Sequence, residues 1–183
     1  LVGNCMASSL VERENLCDLE VLEKADIIYQ IRTRYYKSKI YTHIGHILVS
    51  VNPYAGLDFA EGPCEGLPLD AEEAIKVYHK GAYNNFEGLP PHIFTVASRA
   101  FTQCTDENQN QSIIISGESG SGKTVTTKLV LKFLQAISAK YAAEETDFEN
   151  PSKEVQRKSI EEKIGYTNPI LESFGNAKTL RNN

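Results

Sequence analysis

The chain has 183 residues, of which 41% are hydrophobic, and these values are typical of one globular domain with an ordinary core. Its 19 basic and 24 acidic residues give a net charge of −5, so the composition does not indicate the strongly basic face of a general nucleic-acid binder. No apolar run approaches the roughly 20 residues of a membrane-spanning helix, and no signal-peptide segment is recognisable. The four cysteines are widely spaced, which favours free thiols in a reducing cytosol over a zinc or redox site.

The first predicted elements are a helix and a strand. Apolar spacing predicts a helix over residues 23–36, with Arg32 and Arg34 outside its apolar stripe. The stripe consists of Ile27, Ile28, Ile31 and Tyr35. Residues 44–51 have the composition of one buried strand, which Pro53 ends because proline has no N–H to donate to a ladder.

Two loops and two helices are predicted next. Residues 55–69 are rich in glycine and proline and indicate a loop. A helix of about ten residues is expected after Asp70, where an acidic residue is followed by Glu73. Residues 82–92 indicate a second loop, and apolar residues then recur at helical spacing from about His92 to Cys104.

Residues 117–124 match the phosphate-loop pattern G-x-x-x-x-G-K-[ST]. The glycines allow the backbone to curl so that successive N–H groups face phosphate oxygens. Lys123 supplies positive charge to the β and γ phosphates, and the Thr124 hydroxyl is suited to Mg²⁺. The candidate binding residues are Gly117, Glu118, Ser119, Gly120, Ser121, Gly122, Lys123 and Thr124.

The neighbours of this loop support the interpretation. Residues 112–116 are β-branched and apolar, as in a buried strand, and a helical stripe of Val125, Leu129, Phe133 and Ile137 follows the loop. Strand, glycine loop and helix thus predict an α/β P-loop NTPase with a partial, mostly parallel central sheet flanked by helices. A glycine-rich turn without a ligand is the alternative interpretation.

Beyond this helix, the acidic residues 142–152 predict an exposed surface loop. A helix is expected near residues 153–164, and a short one is expected to begin at Pro169 and end at Gly175.

Several segments together are similar to the myosin motor domain. They are Asn52-Pro53-Tyr54, Leu89-Pro90-Pro91-His92-Ile93-Phe94, Asn110-Gln111-Ser112 with the phosphate loop, and Asn168-Pro169-Ile170-Leu171-Glu172-Ser173-Phe174-Gly175-Asn176-Ala177-Lys178-Thr179. The likeness covers the chain from about Leu16 to Asn183. It implies the nucleotide-binding part of an actin-based motor that hydrolyses ATP with Mg²⁺.

The resemblance also implies roles for individual residues. Asn52, Pro53 and Tyr54 are expected to contact the adenine, within a purine-binding loop near residues 52–60. Lys123 is expected to stabilise phosphate and transition-state charge, with Thr124 as the metal ligand. Switch I is expected to start near residues 176–183, with Asn182 as a nucleotide contact, and residues 142–152 match a variable surface loop. Actin filaments, light chains or calmodulin, and a cytoplasmic location on the actin cytoskeleton are implied for the parent protein.

The chain departs from the family pattern in places. Myosins have an aromatic residue where this chain has Ala60, and the adjacent Phe59 is a candidate substitute. Because the sequence stops within switch I, residues 1–183 are expected to be a fragment without a complete hydrolytic site. Two alternatives stay open at this stage, namely another P-loop ATPase such as a kinesin-like motor, and a non-catalytic scaffold that retains a nucleotide pocket.

Overall fold

The computed structural model describes residues 11–20, 22–144 and 173–174. The chain divides into two compact units, Leu1–Ile113 and Ile114–Asn183. Within the first unit, short 3-10 turns supplement three helices and one hairpin; the second contains one long helix in its described part. The elements are α1 (Lys24–Tyr35), β1 (Tyr41–Ile44), β2 (Ile47–Ser50), α2 (Glu72–Gly81), α3 (Ile93–Thr105) and α4 (Lys123–Glu144), with 3-10 turns at Leu16–Asp18, Gly62–Cys64 and Ala82–Asn84.

The three predicted helices of the first unit are confirmed to within about two residues at each end. α2 begins with Glu72 and Glu73 and ends with His79 and Lys80, charges that complement the helix dipole. The two glycine- and proline-rich segments between elements are irregular, as expected, apart from their 3-10 turns.

The single strand predicted over residues 44–51 is wrong, because the chain forms an antiparallel hairpin there. Gly45 has a φ of 59°, a left-handed conformation that glycine adopts without strain, and it starts the turn that reverses the chain. The Asn15 side chain accepts a hydrogen bond from the Gly45 N–H at 3.0 Å and so fixes this turn from another segment. As a result Ile47, which one buried strand would cover, is 67% exposed.

The predicted stripe of α1 is wrong in part, because Ile27, Ile31 and Tyr35 are half-buried, whereas Ile28 is exposed and the fully buried residues are Gln30 and Arg34. Gln30 accepts a hydrogen bond from the Arg13 N–H and donates one to the Val11 carbonyl. Arg34 donates to the hairpin, as described below. Burial of polar side chains in place of isoleucine is compatible with stability here because their hydrogen-bonding groups have partners.

The core of the first unit is centred on aromatic rings from four segments. His92 lies within 4.8 Å, centroid to centroid, of both Tyr41 and Phe59, and 5.3 Å from Tyr78. The Tyr78 hydroxyl donates to the Pro90 carbonyl at 2.7 Å, and Ser98 of α3 donates to the Tyr78 carbonyl at 3.0 Å. These contacts join α2, α3 and the loop that precedes α3.

In the second unit, α4 follows the glycine loop directly, as predicted. Phe133 and Ile137 of the predicted stripe are buried together with Val130, whereas Val125 is 62% exposed in the first helical turn. The predicted strand over residues 112–116 is not observed, because these residues pair with no other described strand. The described residues contain one two-stranded antiparallel sheet, so the predicted parallel sheet is not confirmed.

The remaining expectations fall largely outside the described residues. α4 continues to Glu144, so residues 142–144 are helical rather than part of the predicted surface loop, and the rest of that loop and the helix near residues 153–164 lie outside. Of the short helix expected from Pro169, Ser173 and Phe174 are described, and both are helical. Among described residues, no helix combines the length and apolarity that crossing a membrane requires.

Candidate nucleotide site

At two positions of the glycine loop, the backbone has a conformation that only glycine adopts readily. Gly120 and Gly122 have φ values of 79° and 95°, in the left-handed region. Gly117 is constrained by space, since a Cβ there would lie 2.4 Å from the Ser121 Oγ. A hydrogen bond from the Ser121 N–H to the Glu118 carbonyl, 3.2 Å long, closes a turn within the loop. The loop conformation therefore favours glycine at positions 120 and 122, whereas a side chain at position 117 would require the Ser121 side chain to move.

Lys123 folds back across this loop. Its ammonium group donates to the carbonyls of Gly117 and Glu118, at 2.9 and 2.8 Å. The positive charge is thereby held over the curled backbone, at the start of α4. Residues 118–120 are exposed, so an anion can approach the loop from solvent.

The first turn of α4 adds further donors. Thr126 N–H bonds to the Gly122 carbonyl at 2.9 Å, whereas the N–H groups of the preceding helical residues have no acceptor within the helix. Such N–H groups and the helix dipole favour an anion at a helix N-terminus. Thr124 is exposed, so its hydroxyl is accessible to a metal ion that accompanies the anion. The residues present therefore fit a magnesium-bound polyphosphate.

The three purine-site candidates follow β2 in the first unit. The Asn52 side chain accepts a hydrogen bond from the Tyr54 N–H at 3.0 Å, an Asx-type turn. Tyr54 has a φ of 52°, unusual for a residue other than glycine, and its side chain is 83% exposed. Pro53 lies between them and is half-buried. This turn presents an aromatic ring to solvent, where a base could stack on it.

Phe59 does not replace the missing family aromatic at Ala60. Its ring is 5% exposed and stacks on Tyr78 with centroids 6.0 Å apart. Ala60 itself is exposed. Of the aromatic residues near the purine candidates, Tyr54 is the one that the described structure leaves accessible.

The structure thus brings the phosphate-loop residues together in one segment and Asn52, Pro53 and Tyr54 in another. Asn182, the predicted switch I contact, lies outside the described residues. Within the described ranges, no group of three or more histidine, cysteine or acidic residues could hold a metal ion.

The sequence analysis missed an ionic cluster around Glu12. This carboxylate bonds to Arg34 at 2.9 Å, to Lys37 at 2.6 Å and to Lys39 at 2.8 Å, and Lys39 also pairs with Glu61. Burial raises the pKa of Glu12, but the hydrogen bonds from Lys37 and Lys39 outweigh it, so that the pKa lies below its ordinary value. No motif in the sequence signals this cluster, because its members come from segments up to about 50 residues apart.

The glycine loop followed directly by a long helix is the local structure of P-loop NTPases. The profile of the myosin head (motor domain) family matches residues 13–183, and the chain belongs to this family. This membership excludes the alternative of a kinesin-like motor.

Curated relatives agree with the family assignment. The chain is 39% identical to the myosin-I heavy chain of Dictyostelium discoideum over 93% of its length, and 40% identical to myosin-VIIa of Drosophila melanogaster over 96%. It is 41% identical to unconventional myosin-XV of Homo sapiens over 92% of its length. The matched region makes up 6%, 7% and 4% of these three relatives, respectively.

Proposed function

We propose that this chain is the ATP-binding part of an actin-based motor that hydrolyses ATP to move along actin filaments. Membership of the myosin head family supports the motor. The observation that carries the nucleotide role is the glycine loop, with its two left-handed glycines and the Lys123 ammonium held across it.

In this proposal residues 117–124 hold the triphosphate. Backbone N–H groups of the loop and of the first turn of α4 bind phosphate oxygens, and Lys123 offsets negative charge as it develops during phosphoryl transfer. The Thr124 hydroxyl would hold Mg²⁺, and the ion when bound would neutralise part of the phosphate charge. The chain's own contribution is positioning and electrostatic stabilisation rather than covalent chemistry.

The base is assigned to the turn after β2. Asn52 and Pro53 shape the turn, and the exposed Tyr54 ring offers a face for stacking against adenine. Asn182 is proposed as a further nucleotide contact within switch I.

We assign actin filaments, and light chains or calmodulin, as partners of the full-length protein, and the actin cytoskeleton as its location. These proposals depend on the family and not on a contact within the described residues.

Calorimetry of the full-length protein with Mg²⁺ and ATP tests the nucleotide site. Lys123→Ala should weaken ATP binding roughly ten- to a hundredfold, because a charge-assisted hydrogen bond contributes about 1.5–3 kcal/mol. Lys128→Ala is the matched control, since this exposed lysine lies one turn further along α4. Equal affinities of the two variants would contradict the assigned role of the loop.

Actin-activated ATP hydrolysis by the same protein tests the motor. Turnover that rises with filament concentration, and filament gliding over immobilised protein, are expected. Tight ATP binding without turnover would instead support the alternative of a non-catalytic scaffold.

A further inference from the structure

The turn at residues 52–54 leaves the open end of the β1–β2 hairpin. The last pair of the ladder is Tyr41 with Ser50, and just beyond it the Val51 N–H donates to the Ile40 carbonyl at 3.0 Å. The turn therefore begins directly after the final cross-strand bond. On its upstream side, its direction is set by the open end of the hairpin.

This hairpin depends on contacts outside its own ladder for a fixed position. Its sheet contains two strands in the part of the chain that the structure describes, and two strands alone are marginally stable in water. The reversed end is held by the segment that precedes α1. There the Gly45 N–H donates to the Asn15 side chain, and the His43 N–H donates to the Glu14 carbonyl at 2.8 Å.

The open end of the hairpin is held by Arg34 of α1. Its Nε and Nη2 both donate to the Tyr41 carbonyl, and Nε also donates to the Thr42 hydroxyl. The guanidinium is planar and its donors have a fixed geometry. These bonds therefore set the orientation of the end of β1 relative to α1, and not only its distance.

The guanidinium is itself held in place by Glu12. Nη1 bonds to this carboxylate at 2.9 Å, and Lys37 and Lys39 donate to the same carboxylate. A buried charge requires such a partner, since an unpaired one would be costly in this environment. The carboxylate thus fixes the guanidinium in the orientation that is directed at Tyr41.

We propose that Arg34 is a positioning residue for the base of the nucleotide. It acts through Tyr41 and the last ladder pair, so that the turn at residues 52–54 presents the Tyr54 ring in the orientation in which adenine stacks on it. A turn that is already fixed does not have to be ordered when the nucleotide binds. The inference rests on the proposed function, because the base is assigned to this turn.

Calorimetry of the full-length protein with Mg²⁺ compares ATP with tripolyphosphate, which lacks the base. Arg34→Lys keeps a positive charge beside Glu12 but replaces the planar fork by a single ammonium. It should weaken ATP binding about three- to tenfold and change tripolyphosphate binding less than about twofold, because only the base depends on the turn. Lys37→Met is the matched control and should leave both affinities unchanged, since its exposed ammonium pairs with the same Glu12 carboxylate.

A double-mutant cycle with Tyr54→Ala separates positioning of the base from a merely structural role. If Arg34 acts through the stacked base, Arg34→Lys added to Tyr54→Ala should weaken ATP binding less than about twofold further. Thr42→Val removes the hydroxyl that Nε contacts and provides a milder second variant. It should also weaken ATP binding and not tripolyphosphate binding.

Equal weakening of ATP and tripolyphosphate in Arg34→Lys and Thr42→Val, or losses that add in the double variant, would overturn the positioning role. An unchanged ATP affinity in Arg34→Lys would do the same. In each of these cases, weaker ATP binding in Tyr54→Ala would still support the purine assignment. If Tyr54→Ala left ATP binding unchanged, the purine assignment and the positioning role would both fail.

Discussion

Replacing Arg34 by methionine should release the β1–β2 hairpin from α1. The guanidinium is 1% exposed and makes four polar contacts. Nε and Nη2 donate to the Tyr41 carbonyl at 3.3 and 3.0 Å, and Nε also donates to the Thr42 hydroxyl at 3.1 Å. Nη1 pairs with Glu12 at 2.9 Å. Methionine has a similar length and fills much of the same volume, so the change removes chiefly the polar contacts.

The buried Tyr41 carbonyl and the 2%-exposed Thr42 would each lose their donor, at about 1–3 kcal/mol per group. Because Glu12 keeps Lys37 and Lys39 as partners, these two groups set the expected loss of local stability, which is at least about 2 kcal/mol. Lys37→Met is the matched control, because Lys37 bonds to the same Glu12 carboxylate but is 56% exposed. An exposed ion pair of this kind contributes at most about 1 kcal/mol.

Hydrogen–deuterium exchange of the full-length protein, measured on peptides that cover β1 and β2, reports this difference. Arg34→Met should accelerate exchange there at least about twentyfold, since each 1.4 kcal/mol corresponds to a factor of ten. Lys37→Met should accelerate it less than about fivefold. Similar protection of the hairpin in the two variants would refute the role assigned to the buried guanidinium.

Three further predictions concern the loop, the turn at residues 52–54, and pH. Gly122→Ala should weaken ATP binding about five- to a hundredfold in calorimetry, because alanine at a φ of 95° costs about 1–3 kcal/mol. Gly56→Ala, whose Cβ would contact nothing within 4 Å, should leave ATP binding unchanged. Tyr54→Ala should weaken ATP binding up to about tenfold but leave tripolyphosphate binding unchanged, because only the base is expected to stack on this ring; an equal effect on both ligands would argue against the purine assignment. Because it is buried, His92 has a pKa of about 3 when folded and an ordinary value of 6.5, so the unfolded chain binds more protons in between. The free energy of unfolding should therefore be highest above pH 6.5, where His92 is neutral in both states. It should fall towards pH 3, and at pH 5 the loss should be about 2 kcal/mol. Hydrogen exchange of α3 amides, corrected for intrinsic rates, should show this loss of stability. In His92→Asn, which lacks the titrating ring, the dependence of exchange on pH should be smaller.

Local sequence signals were sufficient to locate the helices of the first unit and the glycine loop. Helical periodicity and flanking breakers located α1, α2 and α3, and the spacing of the glycines identified positions whose backbone requires them. The turn at residues 52–54 is also local, since its Asn52 side chain accepts from the Tyr54 N–H two residues away, while its role as a purine site stays a prediction from the family resemblance.

The errors arose where distant residues decide the outcome. The Gly45 turn is fixed by Asn15, 30 residues earlier, so composition alone did not separate one strand from a hairpin. Arg34 was placed outside the α1 stripe because hydropathy ignores the partners that make burial of a guanidinium favourable. The β-branched run at residues 112–116 favours the strand conformation locally. A strand also needs a neighbouring strand with which to pair, and the sequence of the run does not indicate one.

The Lys123 ammonium already donates to two carbonyls of its own loop, so these carbonyl oxygens compete with any incoming anion for the ammonium. Chloride or a single sulfate offers little beyond the interactions that must be given up, whereas a magnesium-bound polyphosphate offers several charged oxygens at once. The same two bonds hold the curled backbone in shape before a ligand arrives. We therefore expect the proposed phosphate site to favour anions of higher charge and valency.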